Sequence, residues 1–367
     1  MESKKIVFIV NVLRQARCVR RIEDFISRGY DVHVYGYNRK GAQTHELSFK
    51  NTLLETVSHD MSYTSRIKMM RRTIKTVIEK EGEDSVYYLF NYDVALAFLS
   101  LNRKAKYVYE ISDLMELMVG NPLLKKILIV INKKMMRGAL LNVFTSHGFL
   151  DFYYKQGEDR SRTLVLPNKL NKKCLELPFP KQGKFNPDDI RFSFTGAIRS
   201  EALYQFVKTV GEMGKHEMHL FGIYSDDQSF SEKIKCLVEK YNNIYYHGKF
   251  NNPTDFPQIY GMIDVVVSLY TAKDNDKYLE PNKLYESIFY EKPIVVADNT
   301  YLGKRVKDIN VGYCLKVDNI SDYKILIDSI NSENYLEKQK AAASISKKDS
   351  IDDPEPLFRL FEKMIFA

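Results

Sequence analysis

Residues 278–298, YLEPNKLYESIFYEKPIVVAD, hold the densest set of chemically capable side chains in the chain. Pro281 fits a helix start, where its missing N–H costs nothing. The first turn then leaves the backbone N–H groups of Asn282, Lys283 and Leu284 without intrahelical partners, a geometry that receives an anion such as a diphosphate. Glu286 follows Lys283 by three residues, on roughly the same helical face. A carboxylate there can accept two hydrogen bonds from a ribose diol while Lys283 meets a phosphate. The plainer alternative is a surface helix with a Lys283–Glu286 ion pair.

A second candidate is FSFTGAIRS, residues 192–200. A strand ends at Thr195-Gly196 and a helix begins near Ser200 or Glu201. Gly196 lets a phosphate approach the backbone, and Arg199 can grip its oxygens bidentately. A structural turn with an exposed arginine is the alternative. Asp113 in YEISDLM and His147 in FTSHG each follow a short strand, where a side chain could meet a sugar hydroxyl or a leaving group. A polar loop residue is the simpler reading of His147, and His33, inside a strand, reads as structural. Arg14, Arg17, Arg20 and Arg21 crowd the first loop and helix, either solvated or facing an anionic acceptor.

The elements that must carry these residues alternate between strand and helix. Strands are expected at 5–10, 31–36, 86–90, 106–110, 141–145 and 163–166, with helices at 19–28, 66–80, 94–101 and 122–137. Residues 171–189, NKKCLELPFPKQGKFNPDD, read as a linker. The alternation restarts with strands at 191–194, 218–221, 244–246, 264–269, 293–297 and 313–317. Helices fall at 201–212, 230–241 and 283–289, and a helical tail begins at 323. The domains are therefore residues 1–170 and 191–350, joined by 171–190, with a terminal helix in 351–367 that could pack back on the first. Both are α/β and doubly wound, so ligands belong at the carboxyl ends of the strands and a cleft between the domains is the default site. The first strand is not followed by GxGxxG, which disfavours a dinucleotide site there.

The chain has 367 residues, 44% hydrophobic and 28% charged, enough for two to three domains at roughly 150 residues each. Its net charge of +8 is uneven: residues 1–185 hold 32 Lys and Arg against 19 Asp and Glu. Such a basic half suits anionic lipid, a phosphorylated substrate or an ordinary solvated face. Neither zinc-finger spacing nor an RNP-like strand points to nucleic acid. The four cysteines are scattered, which argues against a disulfide framework or zinc site. Residues 6–10 are too short for a secretory signal. The apolar run 127–131 is far below the roughly 20 residues that span a bilayer. Export and anchoring are not expected, and a peripheral membrane contact stays open.

From 192 to 317 the sequence resembles retaining GT-B glycosyltransferases of the family 4 type, found in bacterial capsule, O-antigen and exopolysaccharide assembly. FTGAIR, HLFG, IYYHG, DVVVSLY and EPNKLYESIFYEKPIVVAD carry the likeness. The resemblance implies two Rossmann-like domains facing across a cleft, the first for acceptor and the second for a nucleotide-sugar donor. Glu286 then matches the ribose-binding glutamate, and Asn282, Lys283 and Leu284 the turn beside the diphosphate. Gly196 matches the glycine after the first donor-domain strand, and Arg199 a phosphate-binding arginine. Glu280 takes the place of the glutamate near the donor sugar, closer to Glu286 than is usual. Asp113 and His147 sit near sites facing the sugar or the cleft, and the crowding noted above leaves Arg14 and Arg17 as the candidates for the acceptor or an anionic surface. The lysine that often follows the arginine is absent, SEALYQF standing in its place.

The implied reaction moves a sugar from a nucleotide diphosphate sugar, commonly UDP-linked, to an acceptor hydroxyl with retention. No cofactor or metal is expected, since Asp188-Asp189, Asp226-Asp227 and Asp274-Asn275-Asp276 fall in loops rather than at strand ends. The family context implies an undecaprenyl-diphosphate-linked saccharide acceptor and a cytoplasmic protein resting on the inner face of the plasma membrane through the helix at 123–137. Two other readings are a nucleotide-sugar 2-epimerase of the same architecture and a non-catalytic nucleotide-sugar- or glycan-binding partner.

Overall fold

The computed structural model describes residues 5–39, 47–58, 61–181, 183–224 and 227–365. The chain folds as two units. One takes Met1–Leu166 and Asp353–Ala367, the other Pro167–Asp352.

The first unit runs β1 (Lys5–Val10), α1 (Ala16–Ser27), β2 (Asp31–Arg39), β3 (Thr52–Val57), α2 (Tyr63–Glu81), β4 (Val86–Phe90), α3 (Asn91–Leu99), β5 (Lys106–Ile111), α4 (Pro122–Gly138), β6 (Leu141–Phe144), α5 (His147–Tyr153) and β7 (Thr163–Val165). Among the described residues these strands form one parallel sheet in the order β3-β2-β1-β4-β5-β6-β7. The reason is visible in β1, whose Ile6–Val10 are all 0% exposed: a strand covered on both faces reads as a continuous apolar run. At its foot the buried Glu81 carboxylate accepts from Lys5 (2.8 Å), from Tyr35 and, at 2.9 Å, from His33 Nδ1, so His33 is indeed structural.

The second unit runs β8 (Arg191–Ile198), α6 (Glu201–Met213), β9 (Glu217–Tyr224), α7 (Gln228–Lys240), β10 (Ile244–Gly248), α8 (Phe256–Met262), β11 (Val265–Ser268), α9 (Asn282–Phe289), β12 (Ile294–Ala297), α10 (Tyr301–Ile309), β13 (Gly312–Leu315), α11 (Ile320–Ser329) and α12 (Ser332–Ser344). Its parallel sheet has the order β10-β9-β8-β11-β12-β13 among the described residues. Arg191 forks onto both Asp264 oxygens at 2.9 and 2.8 Å, pinning the amino ends of β8 and β11 together.

The residues expected as a linker lie inside the second unit. Leu170 N–H donates to the Ser350 carbonyl and Asp352 N–H to the Leu170 carbonyl, both at 2.9 Å, which stitches the start of this unit to its end. A final helix, α13 (Glu355–Ile365), returns to the first unit, where Phe358 and Phe361 stand 4.8 and 5.0 Å from the Phe25 ring. Each such buried ring is worth about 1.5–3 kcal/mol. In both sheets the strand order reverses next to the first strand, between β1 and β4 and between β8 and β11. That reversal opens the crevice in which open α/β sheets hold ligands.

Candidate active site

The crevice of the second unit is built from β8, the loop after β11, and α9. Every residue of α9 from Lys283 to Phe289 is buried, because Leu284, Tyr285, Ile288 and Phe289 form part of a core with Phe256, Ile259 and Tyr260. A surface helix is thereby overturned. Lys283 has no carboxylate within ion-pair distance among the described residues, so the expected pair with Glu286 is absent as well.

Lys283 is 4% exposed, yet its amine is aimed at the crevice. It lies 4.4 Å from the centre of the Phe194 ring and 3.4 Å from the Tyr270 hydroxyl. A methyl group on Gly196 would meet the amine at 3.3 Å. A buried ammonium with no carboxylate at ion-pair distance is costly, and the faces of Phe194 and Tyr270 offset only part of that cost.

Gly196 itself does not end a strand. β8 continues through it to Ile198, with Gly196 at φ +122, a conformation only glycine takes readily. Its neighbour across the ladder, Gly222, stands at φ +135. Arg199 follows the strand and is exposed, with no ion pair among the described residues. Ser200 then precedes the first residue of α6, without a capping hydrogen bond from its side chain.

Glu286 is 1% exposed. One carboxylate oxygen accepts from Thr195 Oγ1 at 2.9 Å and from the Tyr260 hydroxyl; the other accepts from Asn282 Nδ2 at 2.5 Å. Burial raises its pKa, against the pull of the Lys283 charge and of the Tyr260 and Thr195 hydroxyls. A ribose diol would therefore have to take the place of Asn282. Thr195 and Tyr260 went unforeseen, since their link to Glu286 spans 91 and 26 residues and no local spacing signals it.

Pro281 is the residue before the first helical one, not the first. The Leu284 N–H donates to the Pro281 carbonyl at 3.2 Å and its side chain is 1% exposed, so Leu284 belongs to the helix and core rather than to an anion. Glu280 is 4% exposed and accepts from the Tyr285 hydroxyl at 2.5 Å. Asp276 accepts from Thr271 Oγ1 at 2.8 Å, Asp227 caps α7, and Asp226 lies outside the described residues.

In the first unit Asp113 follows β5 and accepts from Ser112 Oγ at 3.3 Å, while His147 is exposed as the first residue of α5, just after β6. Both stand at carboxyl strand ends of one sheet. Arg14 donates to Asn38 at 3.1 Å. Arg17 is a correction. Its side chain is only 10% exposed and points to Glu110 (3.3 Å), which is 0% exposed and also takes Arg21 (3.4 Å) and Tyr88 (2.5 Å). The buried carboxylate draws two of the four arginines inward, so they do not form a solvated or acceptor-facing surface.

The helix at 123–137 matches α4, and its outward side is apolar. Leu123 and Val130 are 69% and 68% exposed, with Ile127 between them. Lys126, Lys133, Lys134 and Arg137 flank this stripe without an ion pair among the described residues. No described helix is long and apolar enough to cross a membrane.

The whole chain is similar in structure to sucrose-phosphate synthase from Thermosynechococcus elongatus, at 12% identity and a TM-score of 0.72 over 99% of this chain and 100% of that one. A glycosyltransferase from Rickettsia africae matches at 14% identity and 0.64 over 100% and 99%. The Anabaena protein HepE, solved in complex with UDP and glucose, matches at 13% and 0.63 over 99% and 100%. No family model and no curated protein matches the chain. The likeness shows the fold: two Rossmann-like α/β units in the GT-B arrangement of elements.

Proposed function

We propose that the chain is a retaining glycosyltransferase. It moves a sugar from a UDP-linked donor to a hydroxyl of a lipid-linked saccharide in surface polysaccharide synthesis. The observation that carries the reading is the Lys283 amine: buried, without a carboxylate at ion-pair distance among the described residues, and poised over Gly196 at the strand-order reversal of the second unit. A diphosphate supplies the charge this amine lacks. Arg199 and the N–H groups of Asn282 and Lys283 add to the same field, and Glu286, on exchanging Asn282 for a ribose diol, fixes the nucleoside.

In the transfer the bond between the anomeric carbon and the leaving phosphate breaks on the face where the acceptor oxygen bonds. The acceptor proton passes to the leaving phosphate oxygen. Lys283 and Arg199 stabilise the developing negative charge, and no covalent nucleophile is assigned. Glu280, Asp113 and His147 are assigned to the sugar side, and Arg14 to the acceptor. Arg17, held by Glu110, drops out. The unpaired cations and bare apolar stripe of α4 favour an acceptor presented at an anionic membrane.

The test is calorimetry with a panel of nucleotides and nucleotide sugars, then turnover with lipid-linked and sugar-phosphate acceptors. A UDP-sugar that binds wild-type protein and not Glu286→Ala supports the donor site. Binding without transfer to any acceptor favours a non-catalytic partner. Change of the donor sugar without acceptor favours an epimerase.

A further inference from the structure

The first unit contains a groove that the transfer reaction does not use. It lies between α3 and α4 and encloses about 350 Å³, within the range of small-ligand sites. Leu96 and Leu99 form one wall, Ile131 and Met135 the other, with Tyr107 of β5 at the base. The Tyr107 hydroxyl is spent on the Met135 carbonyl at 2.5 Å, so the base offers no free donor. A methyl group on Gly138 would fall 2.7 Å from that hydroxyl, so this end needs glycine.

Arg103 and Lys134 stand exposed at the mouth, and neither has an ion-pair partner among the described residues. The groove also continues the bare stripe of α4, since Ile131 lies one turn beyond Ile127 and Lys134 one turn beyond Val130. An apolar slot, two unpaired cations at its rim and an exposed apolar approach are complementary to one kind of ligand: a chain with an anionic head.

We infer that the groove takes one acyl chain of an anionic phospholipid, its phosphate between Arg103 and Lys134. This rests on the membrane-facing reading of α4 and goes beyond it. Adsorption of the stripe leaves every lipid in the bilayer, whereas groove binding draws one chain out and fixes how the unit is turned on the surface.

The chain has no tryptophan, so Leu99→Trp puts a single indole in the groove wall. The probe is a vesicle of phosphatidylcholine and phosphatidylglycerol, with bromine on the acyl chains of one lipid or the other, and co-sedimentation scores binding in parallel. Bromine on phosphatidylglycerol is expected to quench the indole more than the same amount on phosphatidylcholine. Arg103→Glu with Lys134→Glu should abolish that preference and weaken vesicle binding about tenfold or more. Equal quenching by both lipids on sedimented protein overturns the groove while leaving the membrane contact. Folded protein that does not sediment overturns both, and donor calorimetry on the same sample reports separately on the nucleotide site. Relief of quenching by a small mole fraction of polyprenyl phosphate assigns the groove to a different chain and overturns the phospholipid. If Leu99→Trp does not fold, Ser100→Trp at the exposed rim carries the same readout.

Discussion

Gly222 lies against Gly196 so closely that a methyl group on Gly222 would fall 1.9 Å from the Gly196 carbonyl oxygen. The two strands can touch there only because Gly222 has no side chain, and Gly196, on the other side of the contact, lies beneath the Lys283 amine. Gly222→Ala is expected to cost at least about 3 kcal/mol, since it adds strain at φ +135 to a clash with backbone. Gly196→Ala meets only the tip of Lys283 and should cost roughly 1–3 kcal/mol, with a larger loss in donor affinity than in stability. Urea melts and calorimetry on both variants separate these outcomes. Equal stability losses would refute the distinction.

Lys283→Met keeps the buried stem and removes the charge. Turnover should fall by roughly 10²–10³, the scale of losing one charge-stabilising donor. The melting temperature should change little, because relief from burying an ammonium with no ion-pair carboxylate is offset by losing the charge that favours the buried Glu286 carboxylate. A variant that loses stability and keeps turnover would assign Lys283 to the scaffold.

Glu286→Gln tests the carboxylate in two directions. Burial raises the Glu286 pKa, so its ionised form opposes folding and the neutral isostere should be at least as stable at neutral pH. That advantage shrinks as the pH is lowered through the folded pKa. Donor affinity should drop about 10- to 100-fold, the value of a hydrogen bond to a charged group. In the wild type, affinity should fall on acidification from a higher pH than an ordinary carboxylate sets, because the diol donates to the ionised form. A pH-independent donor Kd would count against the ribose role.

Glu81 behaves in the opposite sense. Burial works to raise its pKa, but hydrogen bonds from Lys5, Tyr35 and His33 outweigh it and hold the carboxyl down at about 2. Its contribution is therefore present above the ordinary value of 4.5 and is lost as the pH falls toward 2. Glu81→Gln should cost roughly 2–3 kcal/mol at pH 7, allowing for the partly exposed Lys5 partner. The cost should fade across that acid window in chemical denaturation curves.

The central strands were legible because burial on both faces leaves an unmistakable apolar run, as in KIVFIV and DVVVSLY. β3, α8 and α10, like the seven-residue α5, leave no such signal. Thr52–Val57 is half-exposed at a sheet edge, Phe256–Met262 is a short helix opened by proline, and Tyr301–Ile309 has few apolar residues among its charges. In the site, the glycine, the lysine and the glutamate could be read from local spacing. Their surroundings could not. Tyr260 and Thr195 reach Glu286, and Glu110 captures Arg17, only after helices have packed on the sheet, and a contact between distant elements writes no period into either segment.

The return of α13 to the first unit sets an order of assembly. The second unit is one unbroken stretch of chain and holds every residue it needs once Asp352 has been made. The first, begun earlier, leaves Phe25 uncovered until Phe358 and Phe361 have been made. The unit begun last is thus the first to have all its residues made. A released chain cut before Glu355 would therefore hold every residue of the second unit while the Phe25 ring of the first stood bare.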